Sequence, residues 1–404
     1  MITTDQKNII RATVPVLKEN GVLLTDHFYK RMFVHNPELK NVFNMSNQTN
    51  SRQQTALAMA ILAYAENIDN PAVLMPAING IGQKHVSLDI RPEHYIIVGK
   101  HLIASIGEVL GEAATTEILS AWEVAYNQLA QIMSGHENKL YSEKVLTKGG
   151  WTGWKPFMVK EKVIESTEIT SFHLYPADQG PVADFMPGQY LSIRLFIPEL
   201  NLLQPRQYSI SSAPNGFYYR ISVKKETALH LNPDGLISNR LHDFVHVGDI
   251  LEVTAPSGSF TLNDENDHPV VFISGGVGQT PLMSMLETLI KSGSKKPATW
   301  IHGCRDKNVH AFKETIEYWS GEKQAIKKHI FYDQIDQETD LDDLYKGWVD
   351  LSALDEELFK PNTEYYICGP GPFITKHYKE LIAKGILAEA IHFEEFGPQT
   401  LHLN

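Results

Sequence analysis

The 404 residues of the chain are too many for one ordinary hydrophobic core and predict two or three domains. A formal net charge of −12 disfavours nucleic acid or an anionic membrane as the main partner, because both select basic surfaces. The two cysteines, Cys304 and Cys368, are typical of a protein from a reducing compartment rather than of a disulfide framework.

The N-terminus shows no basic segment followed by an apolar stretch, so no signal peptide is predicted. No apolar run approaches the roughly 18 residues that a membrane-spanning helix needs. We therefore expect a soluble, cytoplasmic protein.

The first 140 or so residues have the hydrophobic period of α-helices. Leu57, Ile61 and Tyr64 recur at helical spacing, and the breaks between helices are short, as at Asn36-Pro37 and Asn70-Pro71. No strand-like alternation of any length occurs in this part. It is predicted to be an all-α domain.

The pattern changes after Lys148-Gly149-Gly150-Trp151, where short strand-like runs separated by turn residues begin. Several short strands at such spacing favour an antiparallel barrel. The predicted strands are 157–159, 170–174, 190–195 and 218–223, with a further strand that carries Arg206-Gln207-Tyr208-Ser209.

A third pattern begins near His268, where buried-type strands alternate with helices. A strand at 269–274 is followed by a glycine turn and a helix at 280–290. Such alternation is typical of a parallel sheet in an α/β domain. The remaining predicted strands are 298–302, 329–332 and 365–368.

His85 lies in the apolar stripe of one predicted helix, at helical spacing from Ile78 and Ile81. A histidine in such a stripe is either a core residue bonded to a backbone carbonyl or a metal ligand. The context favours the ligand, because Gln53 and Tyr29 on earlier helices supply polar groups of the kind that face a bound ligand opposite a proximal histidine.

The helical part resembles the bacterial flavohaemoglobins in residues 26–33, 35–40 and 42–48, in Gln83-Lys84-His85 and in Arg91-Pro92-Glu93-His94-Tyr95. The resemblance implies that His85 is the axial ligand of haem b iron. It further implies a haem pocket with Tyr29 and Gln53 on the distal side, Leu57 limiting access to the iron, Phe43 against the porphyrin, and Lys84 beside the ligand.

The same resemblance implies that Tyr95 and Glu137 form a pair on the proximal side of His85. Alone, Tyr95 would be interpreted as a helix-packing residue and Glu137 as a solvated surface charge. A carboxylate bonded to the far N–H of an imidazole raises the basicity of the ligating nitrogen, which favours oxygen activation over storage. We therefore treat Tyr95, Glu137, Tyr29 and Gln53 as candidate catalytic residues.

The motifs Pro187-Gly188-Gln189-Tyr190 and Arg206-Gln207-Tyr208-Ser209 resemble the flavin site of the ferredoxin reductase-like superfamily. Arg206 can pair with a pyrophosphate, Tyr208 can stack on the flavin ring, and Ser209 can bond a ring nitrogen. Gly235-Leu236-Ile237-Ser238-Asn239 resembles a second phosphate-binding turn, formed by backbone amides and the Ser238 hydroxyl. The segment 227–234 before it is longer than the family pattern.

The motif Gly275-Gly276-Val277-Gly278-Gln279-Thr280-Pro281 follows a strand and opens a helix, a setting that suits a pyrophosphate. It resembles the NAD(P)-binding turn of the same superfamily. Cys368-Gly369-Pro370 matches the approach to the nicotinamide, although a small buried residue at a strand end is the simpler interpretation of Cys368.

The last motif, His392-Phe393-Glu394-Glu395-Phe396-Gly397-Pro398, matches the family's C-terminal segment. The resemblance implies that Phe396 covers the flavin where the nicotinamide enters. It also implies that Glu394 faces the gap between haem and flavin, with Lys84 opposite. Glu395, Gly397 and Pro398 are assigned to the same flavin site.

The resemblance covers nearly the whole chain and implies a multi-domain fold. We predict an all-α globin at 1–138, a linker at 139–151, an antiparallel β-barrel that binds FAD at 152–264, and an α/β domain that binds NAD(P)H at 265–404. A monomer without an obligate protein partner is expected.

The predicted function is a nitric oxide dioxygenase, in which NAD(P)H reduces FAD, FAD reduces the haem iron, and O₂ and NO are the substrates. FAD is the adaptor, because NAD(P)H gives two electrons together whereas haem iron accepts one at a time. Two alternatives remain open. One is a sensor globin that binds O₂ or NO, and the other is a flavin reductase with an external electron acceptor.

Overall fold

The computed structural model describes residues 2–46, 51–227, 234–263, 265–321, 326–335 and 343–397. Two compact units divide these residues. The first is built from Met1–Trp154 with Arg194–Arg206, and the second from Lys155–Ile193 with Gln207–Gly397. The residue Pro398 of the last predicted motif and most of the segment 227–234 lie outside the described residues.

The first unit is helical. The long helices among its described residues are α1 Thr4–His35, α2 Arg52–Glu66, α3 Met75–Ser87, α4 Pro92–Leu110 and α5 Thr116–Leu146. Local signals set the ends of several of them. Thr3 forms a capping box with Gln6 at the start of α1, Pro92 is the first residue of α4, and Gly111 ends α4 with a φ of 54°.

The core of this unit joins α1, α2, α4 and α5. Phe28, Met32 and Tyr64 are among its fully buried side chains, and Trp122 of α5 packs into the same cluster. The cluster includes apolar residues of the stripes that the sequence predicts, so the hydrophobic period and the packing agree. The all-α prediction is confirmed for the described residues.

A six-stranded antiparallel sheet follows in the described residues. Its strands are β1 Lys155–Ile164, β2 Ile169–Pro176, β3 Tyr190–Ile197, β4 Leu202–Ser209, β5 Tyr219–Lys224 and β6 Ile250–Val253. They lie in the order β4-β3-β6-β1-β2-β5. A register shift between Val159 and Glu161 interrupts the pairing of β1 with β2. The short helix α6 Leu236–Phe244 lies between β5 and β6 in the chain.

The last part is a parallel sheet. Its strands are β7 Val270–Gly275, β8 Ala298–Cys304, β9 Lys327–Tyr332, β10 Leu344–Lys346, β11 Glu364–Gly369 and β12 Ile391–Glu395. They lie in the order β10-β9-β8-β7-β11-β12. The helices between them are α7 Gln279–Ser292, α8 Lys313–Ser320 and α9 Gly371–Ala383.

The strand order reverses between β7 and β11, because the chain first moves outward from β7 and then returns to its other side. In open α/β sheets, ligands bind at the carboxyl ends of the strands beside such a reversal. The residues that follow β7, β8 and β11 are therefore candidates for ligand binding.

The predicted fold class is confirmed: a helical domain, an antiparallel sheet and a parallel α/β sheet follow one another. The predicted domain boundaries stay predictions. Helix α5 continues through Leu146, so the first part of the predicted linker is helical. Among the helices of the described ranges, none has the length and apolar character required to cross a bilayer.

Candidate functional site

His85 lies near the C-terminal end of α3, and its side chain is about one-third exposed. Nδ1 of its ring is hydrogen-bonded to Glu137 Oε1 at 2.7 Å and to the Tyr95 hydroxyl at 3.0 Å. An imidazole that donates from Nδ1 keeps its lone pair on Nε2. The ring is therefore set up to ligate a metal through Nε2.

Glu137 is the centre of this network. It lies on α5 with 2% of its surface exposed, and its Oε1 also accepts a hydrogen bond of 2.6 Å from the Tyr95 hydroxyl. Burial, followed by the charge of Glu137, raises the pKa of Tyr95, so the tyrosine stays protonated and donates. Glu137 is thus not a solvated surface charge, and the structure brings together His85, Tyr95 and Glu137 as the sequence predicts.

Tyr126 of α5 supports the network and was not singled out from the sequence. Its hydroxyl donates to the backbone carbonyl of Tyr95 at 2.6 Å. Its ring lies where a side chain at position 99 would be, since a Cβ on Gly99 would come within 2.3 Å of it. Gly99 and Tyr126 are far apart in sequence, and no local pattern predicts this contact.

Tyr29 and Gln53 meet elsewhere in the same helical unit. The Tyr29 hydroxyl has a hydrogen bond to the Gln53 side chain, and burial raises the pKa of Tyr29. The Tyr29 ring also stacks on the Phe33 ring, with 5.9 Å between the ring centroids, and contacts the Phe43 ring edge-on, with 5.8 Å between the centroids. Leu57, one turn after Gln53 on α2, packs against the same core. Tyr29, Phe43 and Leu57 therefore belong to one apolar core, and Gln53 is hydrogen-bonded to the Tyr29 hydroxyl within it.

Lys84 lies on α3 directly before His85 and is partly buried. Its backbone carbonyl accepts a hydrogen bond of 2.8 Å from the Ser87 hydroxyl. The expected pairing of Lys84 with Glu394 stays a prediction.

Strand β4 carries the residues predicted for the flavin ring and its pyrophosphate. Gln207 and Tyr208 are half-buried, and Ser209 is buried at the end of the strand. The Arg206 guanidinium donates to the carbonyl of Pro205 at 2.7 Å and to the Ser46 hydroxyl at 2.9 Å.

Tyr190 opens β3 and pairs with Ser257 through two backbone hydrogen bonds of 2.9 Å. Gly258 follows with a φ of 113°, and a Cβ there would lie 2.9 Å from the Tyr190 ring. Gly188 has a φ of 105°, and a Cβ there would meet the Phe260 carbonyl at 2.2 Å. The Pro-Gly-Gln-Tyr motif is therefore a turn in which glycine is required by both conformation and space.

The predicted phosphate-binding turn at 235–239 is the start of helix α6, with Gly235 as its N-cap. The Ser238 hydroxyl accepts from the Glu226 amide at 3.3 Å and donates to the Gly235 carbonyl at 3.3 Å. The backbone amides of the first helical turn remain the donors suited to an anion, as at other helix N-termini.

The glycine motif connects β7 to α7 at the strand reversal. Gly276 has a φ of 56°, and a Cβ on Gly278 would lie 2.2 Å from the Cys368 carbonyl. Thr280 stabilises the turn, since its hydroxyl donates to the Val277 carbonyl at 3.1 Å. The turn brings backbone amides to the carboxyl end of β7 without side chains in the way, which suits a pyrophosphate.

Two buried polar side chains border this turn. Gln279 is fully buried, and neither atom of its amide has a hydrogen-bond partner among the described residues. An amide in that position fits a site that a polar ligand completes. Cys368 is also fully buried, and burial followed by the charge of Glu394 raises the pKa of its thiol, so the thiol stays protonated.

The C-terminal motif is positioned by the pairing of β12 with β11. Glu394 is in register with Cys368, and Glu395 with Gly369, in the parallel pair of β11 and β12. Pro370 follows as the N-cap of α9. Phe396 is 41% exposed, and Gly397 has a φ of 124°. The residues predicted to lie near the nicotinamide are therefore together at the carboxyl ends of β11 and β12.

Three family models match the chain in the order of its domains. Residues 26–133 match the globin model, 156–262 the oxidoreductase FAD-binding domain, and 272–379 the oxidoreductase NAD-binding domain. The fold thus defines an oxidoreductase in which a globin is joined to FAD- and NAD-binding domains.

The chain is 48% identical to the flavohemoprotein of Bordetella parapertussis, over 98% of this chain and 99% of that one. It is similar to the crystal structure of a flavohemoglobin from Malassezia yamatoensis with bound FAD and heme, with a TM-score of 0.85 and 27% identity over 98% and 100% of the two chains. The FAD/NAD-binding domain of a nitric oxide dioxygenase from Vibrio cholerae covers 60% of this chain and 99% of that one, with a TM-score of 0.55 and 38% identity. The chain belongs to the flavohemoprotein family, as its motifs predict.

Proposed function

We propose that this flavohemoprotein is a nitric oxide dioxygenase that uses a nicotinamide dinucleotide, FAD and haem b to convert NO and O₂ to nitrate. The observation that carries the proposal is the hydrogen bond between the buried Glu137 carboxylate and Nδ1 of His85, in a chain that also has FAD- and NAD-binding domains. A strongly hydrogen-bonded axial histidine favours oxygen activation. The names of two related structures, one with FAD and heme and one a nitric oxide dioxygenase, support it.

The residues fit the three cofactors. Nε2 of His85 is available to a haem iron, the Tyr29 hydroxyl beside Gln53 can donate to O₂ in the pocket, and the glycine turn after β7 suits a dinucleotide. When bound, haem would supply the iron at which O₂ binds. FAD would accept two electrons together from the nicotinamide and release them one at a time. Glu137 holds the proton of His85 Nδ1 throughout, and the Tyr95 hydroxyl fixes the orientation of that carboxylate.

The test is to measure NO consumption by the holoenzyme with NADH and O₂ and to determine the nitrate formed. We expect one nitrate for each NO consumed, and no nitrate when O₂ or NADH is withheld. A protein that carries haem and flavin but consumes NO no faster than free haem would contradict the proposal and favour the sensor alternative.

A further inference from the structure

Arg305 is a basic residue placed where the adenosine half of a dinucleotide would lie. It directly follows β8, which is hydrogen-bonded to β7 on the side away from β11. The pyrophosphate turn is at the end of β7, and the residues predicted for the nicotinamide are at the end of β11. The other half of the dinucleotide must therefore extend over the ends of β8 and β9.

A basic residue in that place is the usual partner of the 2′-phosphate of NADPH, whereas an acidic one accepts from the 2′-hydroxyl of NADH. The two nucleotides differ by one phosphate of about −2 charge, so the electrostatics at the end of β8 decide between them. Arg305 would by itself favour NADPH.

Two carboxylates already hold Arg305. Its Nη2 donates to Glu168 Oε1 at 2.7 Å, and its Nε donates to Asp306 Oδ2 at 3.2 Å. Glu168 precedes strand β2 of the antiparallel sheet and therefore reaches Arg305 from outside the parallel sheet. Two hydrogen bonds hold the segment before β2 against the segment after β8. Thr167 donates to the Asn308 carbonyl from its amide at 3.0 Å and from its hydroxyl at 3.1 Å.

Two aspartates also lie near the end of β8. Asp306 and Asp333 both lie close enough to Cys304 for their charges to act on its thiol, whose pKa burial raises to about 12. Asp333 follows β9, and its backbone amide donates to the Cys304 carbonyl at 3.2 Å. The end of β8 thus carries one arginine whose guanidinium already bonds the carboxylates of Glu168 and Asp306.

We propose that Glu168 determines the nucleotide preference of this enzyme by holding Arg305, so that NADH is used and the 2′-phosphate of NADPH is rejected. The inference rests on the proposed use of a nicotinamide dinucleotide but not on the NO chemistry. Glu168 is a specificity-determining residue, and it acts through Arg305 rather than on the reacting atoms.

The test is the rate of flavin reduction by NADH and by NADPH, measured anaerobically by stopped flow in the holoenzyme and in Glu168→Gln. We expect the wild type to prefer NADH. Glu168→Gln is expected to raise kcat/KM for NADPH about tenfold while that for NADH changes by less than about twofold, because Arg305 then becomes available to the 2′-phosphate. Glu161→Gln is the matched control, since Glu161 lies on the neighbouring strand β1 with an exposed side chain and is expected to change neither value.

The double variant Glu168→Gln/Arg305→Ala shows whether Arg305 carries the effect. The gain for NADPH is expected to disappear in it, because the two side chains act as one unit. A wild type that prefers NADPH, or a Glu168→Gln variant that changes both nucleotides equally, would overturn the proposal and leave the Glu168–Arg305 pair a structural bridge. Because flavin reduction needs neither O₂ nor NO, a failure of the dioxygenase assay would not affect this result.

Discussion

At the scale of single residues, the proposed function gives Glu137 the largest role after His85. It is buried, and its Oε1 is shared by the His85 ring and the Tyr95 hydroxyl. Glu137→Gln keeps the shape but removes the charge that raises the basicity of the ligating nitrogen. We expect kcat/KM for NO consumption to fall by about 10- to 100-fold while the haem content is retained.

The matched control is Glu123→Gln, an exposed residue of the same helix. It should leave NO consumption and the haem spectrum unchanged. Equal activity of the Glu137→Gln variant and the wild type would show that the carboxylate only packs the helices, and the proposed role of the proximal pair would be lost.

A second prediction concerns the Tyr29 hydroxyl group and the release of O₂. Burial raises the pKa of Tyr29 and so keeps its hydroxyl protonated, and the hydrogen bond to Gln53 orients that hydroxyl. Tyr29→Phe is expected to raise the O₂ dissociation rate about tenfold, the effect of one lost hydrogen bond to the ligand. Tyr64→Phe removes a buried hydroxyl from the same core, where it donates to the Ala125 carbonyl, and should lower stability without changing O₂ release. Rapid-mixing measurements of O₂ release distinguish the two, and unchanged release in Tyr29→Phe would exclude a distal role.

Residue-level contacts were predictable only where a motif supplied them. The spacing of Ile78, Ile81 and His85 predicts that the histidine lies on the inner face of a helix, but periodicity cannot show that Glu137, some fifty positions later, is its partner. That pairing followed from the resemblance. Tyr126 had no such signal, because its role is a long-range hydrogen bond to a backbone carbonyl.

At the scale of elements, strand β8 carries a buried histidine with consequences for stability. Burial lowers the pKa of His302 to about 3, and its Nδ1 is bonded to the Ser274 hydroxyl at 2.8 Å. In the unfolded chain the pKa returns to about 6.5, so between these values the unfolded state binds more protons than the folded one. Stability therefore rises with pH in this window and falls on acidification.

We expect the melting temperature of the α/β domain to fall as the pH decreases from about 6.5 toward 4, with His302 contributing about 1.4 kcal/mol per pH unit. Thermal unfolding followed by tryptophan fluorescence measures this, because Trp300 lies next to His302. His302→Asn should reduce the slope, whereas His246→Asn, an exposed position, should not. A wild-type slope that the His302→Asn substitution does not change would contradict the assignment.

Elements with strong local signals were predictable, and elements that depend on distant partners were not. Proline and glycine placed the ends of α4, and β-branched runs placed β7 and β8. Strand β6 has only four residues and exists because it pairs with β1. Strand β12 ends in two glutamates and is a strand because β11 lies beside it.

At the scale of the whole molecule, the alternative of a flavin reductase with an external acceptor makes a different prediction from a relay within one chain. If electrons pass from FAD to a haem held by His85, then His85→Ala should abolish haem binding and reduce NO consumption to background. The same variant should keep NADH-driven ferricyanide reduction near the wild-type rate, since that reaction needs only the FAD- and NAD-binding domains.

The complementary variant is Arg206→Ala, which removes the cation predicted to bind the flavin pyrophosphate. At limiting FAD, it should lose both ferricyanide reduction and NADH-driven haem reduction while the haem itself stays bound. A mixture of the two variants should consume NO more slowly than the wild type at equal concentration, because electrons must then pass between molecules. Full NO consumption by His85→Ala alone would refute the relay, and haem would then have no part in the reaction.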